Sequence, residues 1–225
     1  MPRESVVYVH GLWATPAESL LLRRRLSREF EVEAFRYATF ASSMADAADR
    51  LAALVAQLAP RTLHLVGHSL GGLVIYRFLE RHPDSPPGRV VFLGVPTVGS
   101  RLARDVGRWS LGAAVLGRCV ADELLVERER RWVDPRPLGI IAGTRPLGLA
   151  PLLLQRGGDA GPNDGTVAVS ETRLPGAADH ITVGASHMGL LMSARVAEET
   201  SLFLREGHFA LSRRSSSRSS SARSA

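Results

Sequence analysis

Short apolar runs alternate with helical patterns along most of the chain. The apolar runs lack polar alternation, which is typical of strands buried on both faces of a sheet. They cover residues 6–9, 32–37, 63–66, 90–93, 138–142 and 180–183. Apolar residues spaced three and four positions apart predict helices. These patterns cover residues 16–29, 43–58, 71–81 and 188–205. The alternation predicts an α/β fold with a mostly parallel central sheet and helices on both faces.

Two segments interrupt this alternation. Residues 97–135 are rich in arginine and glycine and carry apolar patches, so we predict irregular helices there and treat the segment as a candidate lid. Residues 145–165 are rich in proline and glycine, which predicts a long loop. The interval between the strands predicted at 90–93 and 138–142 is too short to hold a large cap domain.

The composition is that of a globular protein whose positive charge is concentrated at one end. The chain has 225 residues, of which 45% are hydrophobic and 22% are charged, as expected for one domain. The formal charge is +6, but residues 212–225 contain four arginines, eight serines and no acid. We expect residues 1–206 to form the domain and 207–225 a disordered Ser/Arg-rich tail. The nearly balanced body gives no reason to expect nucleic-acid binding.

The remaining composition limits the compartment and the chemistry. A single cysteine, Cys119, excludes an internal disulfide and a cysteine-based metal cluster. The apolar runs are too short to cross a bilayer. Residues 1–4 lead directly into the first predicted strand without a recognisable secretory signal. We therefore expect a cytoplasmic protein.

The segment Gly67–Gly71 has the pattern G-x-S-x-G between a predicted strand and a predicted helix. A sharp strand-to-helix turn lifts the central hydroxyl above the sheet, and the flanking glycines let the helix approach the strand. The N-terminus of the helix also favours negative charge beside the serine. Ser69 is therefore the candidate nucleophile, with an ordinary glycine-rich turn as the alternative.

A nucleophilic serine needs a histidine base, which in this architecture follows it in the chain. His82, His180 and His187 are the candidates. His187 is favoured because it lies in a loop after the last predicted strand, and catalytic groups collect at the carboxyl ends of parallel strands. His180 opens that strand and is interpreted as structural, and His82 closes the helix after Ser69.

The acid that orients the base is expected between Ser69 and His187. Asp164 is favoured because it lies at the end of the predicted long loop, before a short β-branched run. The alternative is a simple Asp-Gly turn. Asp159 and Asp134 are the other candidates.

An oxyanion hole requires two backbone N–H donors near the nucleophile. One is expected from Leu70, directly after Ser69, and the other from the loop after the first predicted strand. In that loop Gly11 permits a close approach of the backbone to a substrate, and Leu12 is favoured over Trp13 as the donor. His10 and His68 flank these positions and are interpreted as holding loops through hydrogen bonds.

Four segments together resemble the α/β-hydrolase superfamily in its oxyanion, nucleophile, acid and histidine motifs. They are Val9–Leu12, Gly67–Gly72, Asn163–Val167 and Ser186–Leu190. The pattern is most similar to small lipase-like and lipid-esterase members, including minimal bacterial lipases and lipases of the GPI-inositol-deacylase-like type. Residues 94–100 also resemble the segment after a strand in these enzymes, although Val95 stands where threonine is usual.

The resemblance implies an α/β-hydrolase fold and hydrolysis of a small-molecule or lipid ester through an acyl-enzyme on Ser69. His187 would act as base and Asp164 would orient it, with no metal and no organic cofactor. Trp13 and Leu149 are candidates for binding an apolar acyl chain, with core or loop packing as the alternative. An acyltransferase or a thioesterase would use the same three residues. A non-catalytic binding scaffold and a docking role for the tail are the remaining alternatives.

Overall fold

Six parallel strands form the sheet of the computed structural model, which describes residues 3–12, 16–39, 42–99, 129–147 and 161–212. In chain order the strands are β1 (Ser5–Val9), β2 (Glu31–Phe35), β3 (Leu63–His68), β4 (Val90–Leu93), β5 (Leu138–Gly143) and β6 (Asp179–Val183). Their order in the sheet is β2-β1-β3-β4-β5-β6, and every neighbouring pair is parallel. The predicted strands are therefore confirmed, with small shifts at their ends.

The predicted helices are also present, but two of them are interrupted. The helices are α1 (Leu20–Leu26), α2 (Met44–Leu58), α3 (Leu70–Arg81), α4 (Gly189–Met192) and α5 (Ala194–Glu206). The first predicted helix begins as a 3-10 turn at Pro16–Ser19. The last is broken at Ser193, whose extended backbone ends α4 and whose hydroxyl accepts the N–H of Val196 to cap α5. Within the described ranges, no helix has the length and apolar character needed to cross a bilayer.

Successive strand residues point to opposite faces of the sheet, so β1 contributes to two separate cores. Val7 and Val9 face a cluster formed mainly with α2 and α3. Val6 and Tyr8 face a second cluster formed with α1, α4 and α5. The helices thus cover both faces of the sheet, as the sequence predicts.

The packed structure extends beyond the predicted domain end at residue 206. Phe209 is fully buried, and its ring centroid lies 4.7 Å from that of Phe203 in α5. Its backbone N–H donates to Oδ2 of Asp179 at 2.8 Å, and the Ser212 hydroxyl donates to the same carboxylate at 2.7 Å. The prediction that the tail begins at 207 was therefore wrong, since an apolar anchor and two hydrogen bonds hold residues 207–212 on the domain.

Several predictions concern residues outside the described ranges. Residues 100–128 make up most of the candidate lid, 148–160 make up most of the predicted long loop, and 213–225 are the rest of the expected tail. The same holds for Trp13, Leu149, Asp159 and Cys119.

Candidate active site

Ser69 occupies the turn between β3 and α3 in a strained backbone conformation. Its φ is 52° and its ψ is −127°, a region that residues with a Cβ rarely adopt. Such strain costs about 1–3 kcal/mol and persists where the surroundings enforce it, often at functional sites. The Ser69 N–H donates to the carbonyl oxygen of Leu93 at 3.0 Å, which ties the turn to the end of β4.

Glycines around Ser69 allow α3 to lie directly against the sheet. A Cβ built on Gly71 would be 2.1 Å from the carbonyl oxygen of Val9, and one on Gly72 would be 2.3 Å from Cγ2 of Val95. A Cβ on Gly67 would be 2.6 Å from Cα of Gly72. The geometry of the turn therefore depends on the absence of side chains at these positions.

Replacing Gly71 by alanine is expected to lower the free energy of unfolding by about 3 kcal/mol, because the new methyl group meets backbone that cannot move aside. The matched control is Gly184→Ala, since a Cβ built there has no atom within 4 Å. This control is expected to be neutral or stabilising by up to about 1 kcal/mol. Urea denaturation of both variants measures the difference, and equal stabilities would contradict the packing argument.

Asp164 and His187 form a close pair at the carboxyl edge of the sheet. His187 Nδ1 lies 2.7 Å from Oδ2 of Asp164, and the Asp164 side chain is almost completely buried. The other oxygen, Oδ1, accepts the backbone N–H groups of Thr166 at 2.9 Å and Val167 at 2.7 Å. Because the carboxylate accepts, Nδ1 of His187 carries a proton, which in the neutral imidazole places the lone pair on Nε2.

Two glycines that the sequence analysis did not single out make room for this pair. A Cβ on Gly94, directly after β4, would be 3.0 Å from Oδ2 of Asp164 and 3.1 Å from Nδ1 of His187. A Cβ on Gly143, the last residue of β5, would be 2.7 Å from Cβ of Asp164. Each of these glycines directly follows a predicted strand, and a glycine at such a position is the sequence signal that would have identified them.

The other candidate histidines and acids have different partners. His180 Nε2 lies 2.9 Å from the Thr172 hydroxyl, and burial lowers the pKa of His180. His82 Nε2 lies 3.0 Å from Oδ1 of Asp49. Asp134 forms an ion pair with Arg136 at 2.8 Å. Among the residues with described positions, Asp164 is thus the acid that contacts His187.

The loop after β1 lies beside the strained serine. A Cβ built on Gly11 would be 3.0 Å from Cβ of Ser69, and Leu12 follows. Leu70 is the first residue of α3, where backbone N–H groups have no partner within the helix. The predicted donors thus come from two segments that meet at Ser69.

Hydrogen bonds hold the start of this loop. The Tyr37 hydroxyl donates to the carbonyl oxygen of His10 at 3.0 Å, and the two rings stack with centroids 4.6 Å apart. His10 Nδ1 donates to the carbonyl oxygen of Gly11 at 2.9 Å, and burial lowers the pKa of His10. These contacts agree with the interpretation of His10 as a residue that holds the loop.

A fully parallel sheet with a strained serine between a central strand and its helix is the architecture of an α/β hydrolase. The sequence model of the Alpha/beta hydrolase family matches residues 6–211, and the chain belongs to this family. A comparison with curated protein sequences gives no match. No cluster of three or more His, Cys, Asp or Glu residues that could hold a metal ion occurs among the described residues.

Solved structures of lipases and esterases share this fold. The mature lipase BlEst2 of Bacillus licheniformis superposes with a TM-score of 0.72 and 20% identity, over 91% of this chain and 93% of that one. The metagenomic carboxyl esterase MGS0156 has a TM-score of 0.64 and 22% identity, over 82% and 64% of the two chains. The RedJ thioesterase from the prodiginine pathway of Streptomyces coelicolor has a TM-score of 0.58 and 15% identity, over 91% and 87%. The fold predicted from the sequence is confirmed.

Proposed function

We propose that this protein is a serine hydrolase that cleaves carboxylic esters through an acyl-enzyme. The observation that carries the proposal is the buried Asp164–His187 pair, with its 2.7 Å contact, at the same sheet edge as the strained Ser69. The pair holds the proton of the neutral imidazole on Nδ1, so that the lone pair lies on Nε2, as a base for a serine requires. Membership of the α/β-hydrolase family supports the same chemistry.

In the proposed reaction His187 Nε2 accepts the Ser69 hydroxyl proton while Oγ bonds to the ester carbonyl carbon. The N–H groups of Leu12 and Leu70 stabilise the resulting oxyanion, each by about 3 kcal/mol. The carbon–oxygen bond to the alcohol then breaks, and the imidazolium of His187 gives its proton to the departing alkoxide. His187 then deprotonates a water molecule that attacks the acyl-enzyme carbonyl carbon. The bond from this carbon to Oγ breaks, the carboxylic acid leaves, and His187 returns the proton to Ser69. Asp164 stabilises the imidazolium in both halves of the reaction.

The proposed substrate is a small-molecule or lipid ester with an apolar acyl chain. Leu147 is exposed, and a Cβ on Gly165, directly after Asp164, would be 2.5 Å from the Leu147 carbonyl oxygen. The segment that leads to Leu149 therefore starts beside the acid. Met188, directly after His187, is also exposed. These positions support the assignment of Leu149 to acyl binding, and Trp13 is proposed to bind from the loop after β1.

Thioester cleavage is the second candidate function. The structural likeness to the RedJ thioesterase favours it, and the same three residues would act on a thiolate leaving group instead of an alkoxide.

The test is hydrolysis of p-nitrophenyl esters from acetate to palmitate, beside thioesters of the same acids. An organophosphonate is used in parallel to label the active serine, and mass spectrometry of the digested protein locates the adduct. We expect ester hydrolysis and an adduct on Ser69. Absence of both would contradict the proposal, whereas an adduct on Ser69 with cleavage of thioesters alone would favour the second candidate.

A further inference from the structure

His68, the residue before Ser69, uses its two ring nitrogens differently. Nε2 lies 3.2 Å from the backbone carbonyl oxygen of His187. Since a carbonyl oxygen only accepts, Nε2 must carry a proton. Nδ1 is buried without a hydrogen-bond partner in the described structure, and the residue is 2% exposed. The contacts therefore define a neutral imidazole with its proton on Nε2.

The ring of His68 also packs against the ring of His187. Their centroids are 4.6 Å apart, and the ring planes are inclined by 41°. Burial, and then repulsion from His187 and His10, hold the pKa of His68 well below its ordinary value. A second charge at this distance would oppose the imidazolium that His187 forms during the proposed reaction. A neutral ring supports the base without this repulsion.

We propose that His68 is a positioning residue, which fixes the loop carrying His187 through its Nε2 hydrogen bond and its ring contact. The hydrogen bond joins the turn that holds Ser69 to the loop that holds His187, across 119 residues of sequence. It thus sets the relative position of two groups between which a proton must pass. The inference rests on the proposed function, because it assigns His68 a part in that reaction.

Three variants separate the hydrogen bond from the ring. In His68→Gln the amide nitrogen takes the position of Nε2 and retains the donor. In His68→Asn the amide nitrogen takes the position of Nδ1 and does not reach the carbonyl oxygen of His187. His68→Phe retains a ring and removes the donor. The Gln and Asn variants differ by one methylene group and are therefore matched controls for each other.

We expect His68→Gln to retain kcat within about threefold of the unmodified protein, because its amide keeps the hydrogen bond to the His187 carbonyl oxygen. Both His68→Asn and His68→Phe are expected to lower kcat by about 10- to 100-fold, because a misplaced base reduces proton transfer. KM is expected to stay within about twofold, since His68 contacts the base and not the substrate. Organophosphonate titration counts the competent sites, so that loss of folded protein is not read as loss of kcat.

A second measurement is independent of hydrolysis. The proton on Nδ1 of His187, held by Asp164, is followed by proton NMR as a far-downfield resonance. It is expected to keep its position in His68→Gln and to shift or broaden in His68→Asn and His68→Phe. A histidine that served only core packing would change the unfolding midpoint without moving this resonance.

Wild-type kcat in both His68→Asn and His68→Phe would overturn the proposal, as would a Gln variant as defective as the Asn variant. If the unmodified protein cleaves no ester or thioester, the proposed function fails. In that case the resonance of the His187 proton is the remaining test of the positioning role. An unchanged resonance in all three variants would overturn that role.

Discussion

Replacing Ser69 by alanine is expected to lower kcat for ester hydrolysis by about 10⁵- to 10⁶-fold, the size of effect seen when a catalytic serine is removed. Without Oγ no acyl-enzyme forms, and His187 has no nucleophile from which to take a proton. The organophosphonate adduct should disappear as well. Steady-state kinetics with p-nitrophenyl esters, together with mass spectrometry of the labelled protein, measures both effects.

The control for general damage is Ser170→Ala, a change at an exposed serine in the 3-10 turn Val169–Thr172. It is expected to keep wild-type kcat. If Ser69→Ala retained more than about a hundredth of the wild-type activity, far above the residual activity of a serine enzyme without its nucleophile, the assignment of Ser69 would be wrong.

A second substitution at Ser69 tests whether its strained backbone conformation destabilises the folded protein. Ser69→Gly and Ser69→Ala both remove the hydroxyl, but only glycine adopts a φ of 52° and a ψ of −127° without a Cβ penalty. The glycine variant should therefore be more stable than the alanine variant by about 1–2 kcal/mol in urea denaturation. Equal free energies of unfolding would show that the backbone strain at Ser69 does not measurably destabilise the protein.

The fold could be predicted because the strands of a parallel sheet are buried on both faces. The run at 90–93 is continuously apolar, and the structure has β4 at the same residues. The apolar pattern was less informative where a single residue determines the end of a helix or of the packed domain. Ser193 breaks a helical pattern by capping the next helix, and Phe209 anchors residues that composition alone assigned to the tail.

The candidate site was only partly predictable, because its contacts depend on strand order. Chain order and loop position single out His187, but Asp134, Asp159 and Asp164 are all acids between it and Ser69. The contact of Asp164 with His187 arises because β5 and β6 are neighbours in the sheet. The contact of His68 with the His187 carbonyl oxygen is equally non-local. The motif around Ser69 therefore places His68 beside the serine but does not predict its contact with His187.

Replacing Asp164 by asparagine is expected to lower kcat by about 10⁴-fold, the effect of holding a catalytic histidine in the wrong tautomer. The reason is that Oδ1 of Asp164 accepts the backbone N–H groups of Thr166 and Val167. In Asp164→Asn the amide oxygen must occupy this position, so the NH₂ group faces Nδ1 of His187. A donor there requires a lone pair on Nδ1, which moves the proton to Nε2 and removes the base for Ser69.

The asparagine variant separates catalysis from folding better than alanine does. Asp164→Ala leaves the N–H groups of Thr166 and Val167 without their acceptor in a buried place, which costs about 1–3 kcal/mol for each group. Asp164→Asn keeps that acceptor, so its unfolding free energy should stay closer to that of the unmodified protein while kcat falls. The control is Asp159→Asn, which is expected to keep wild-type kcat. Loss of activity in Asp159→Asn with retention in Asp164→Asn would transfer the role of the acid to Asp159.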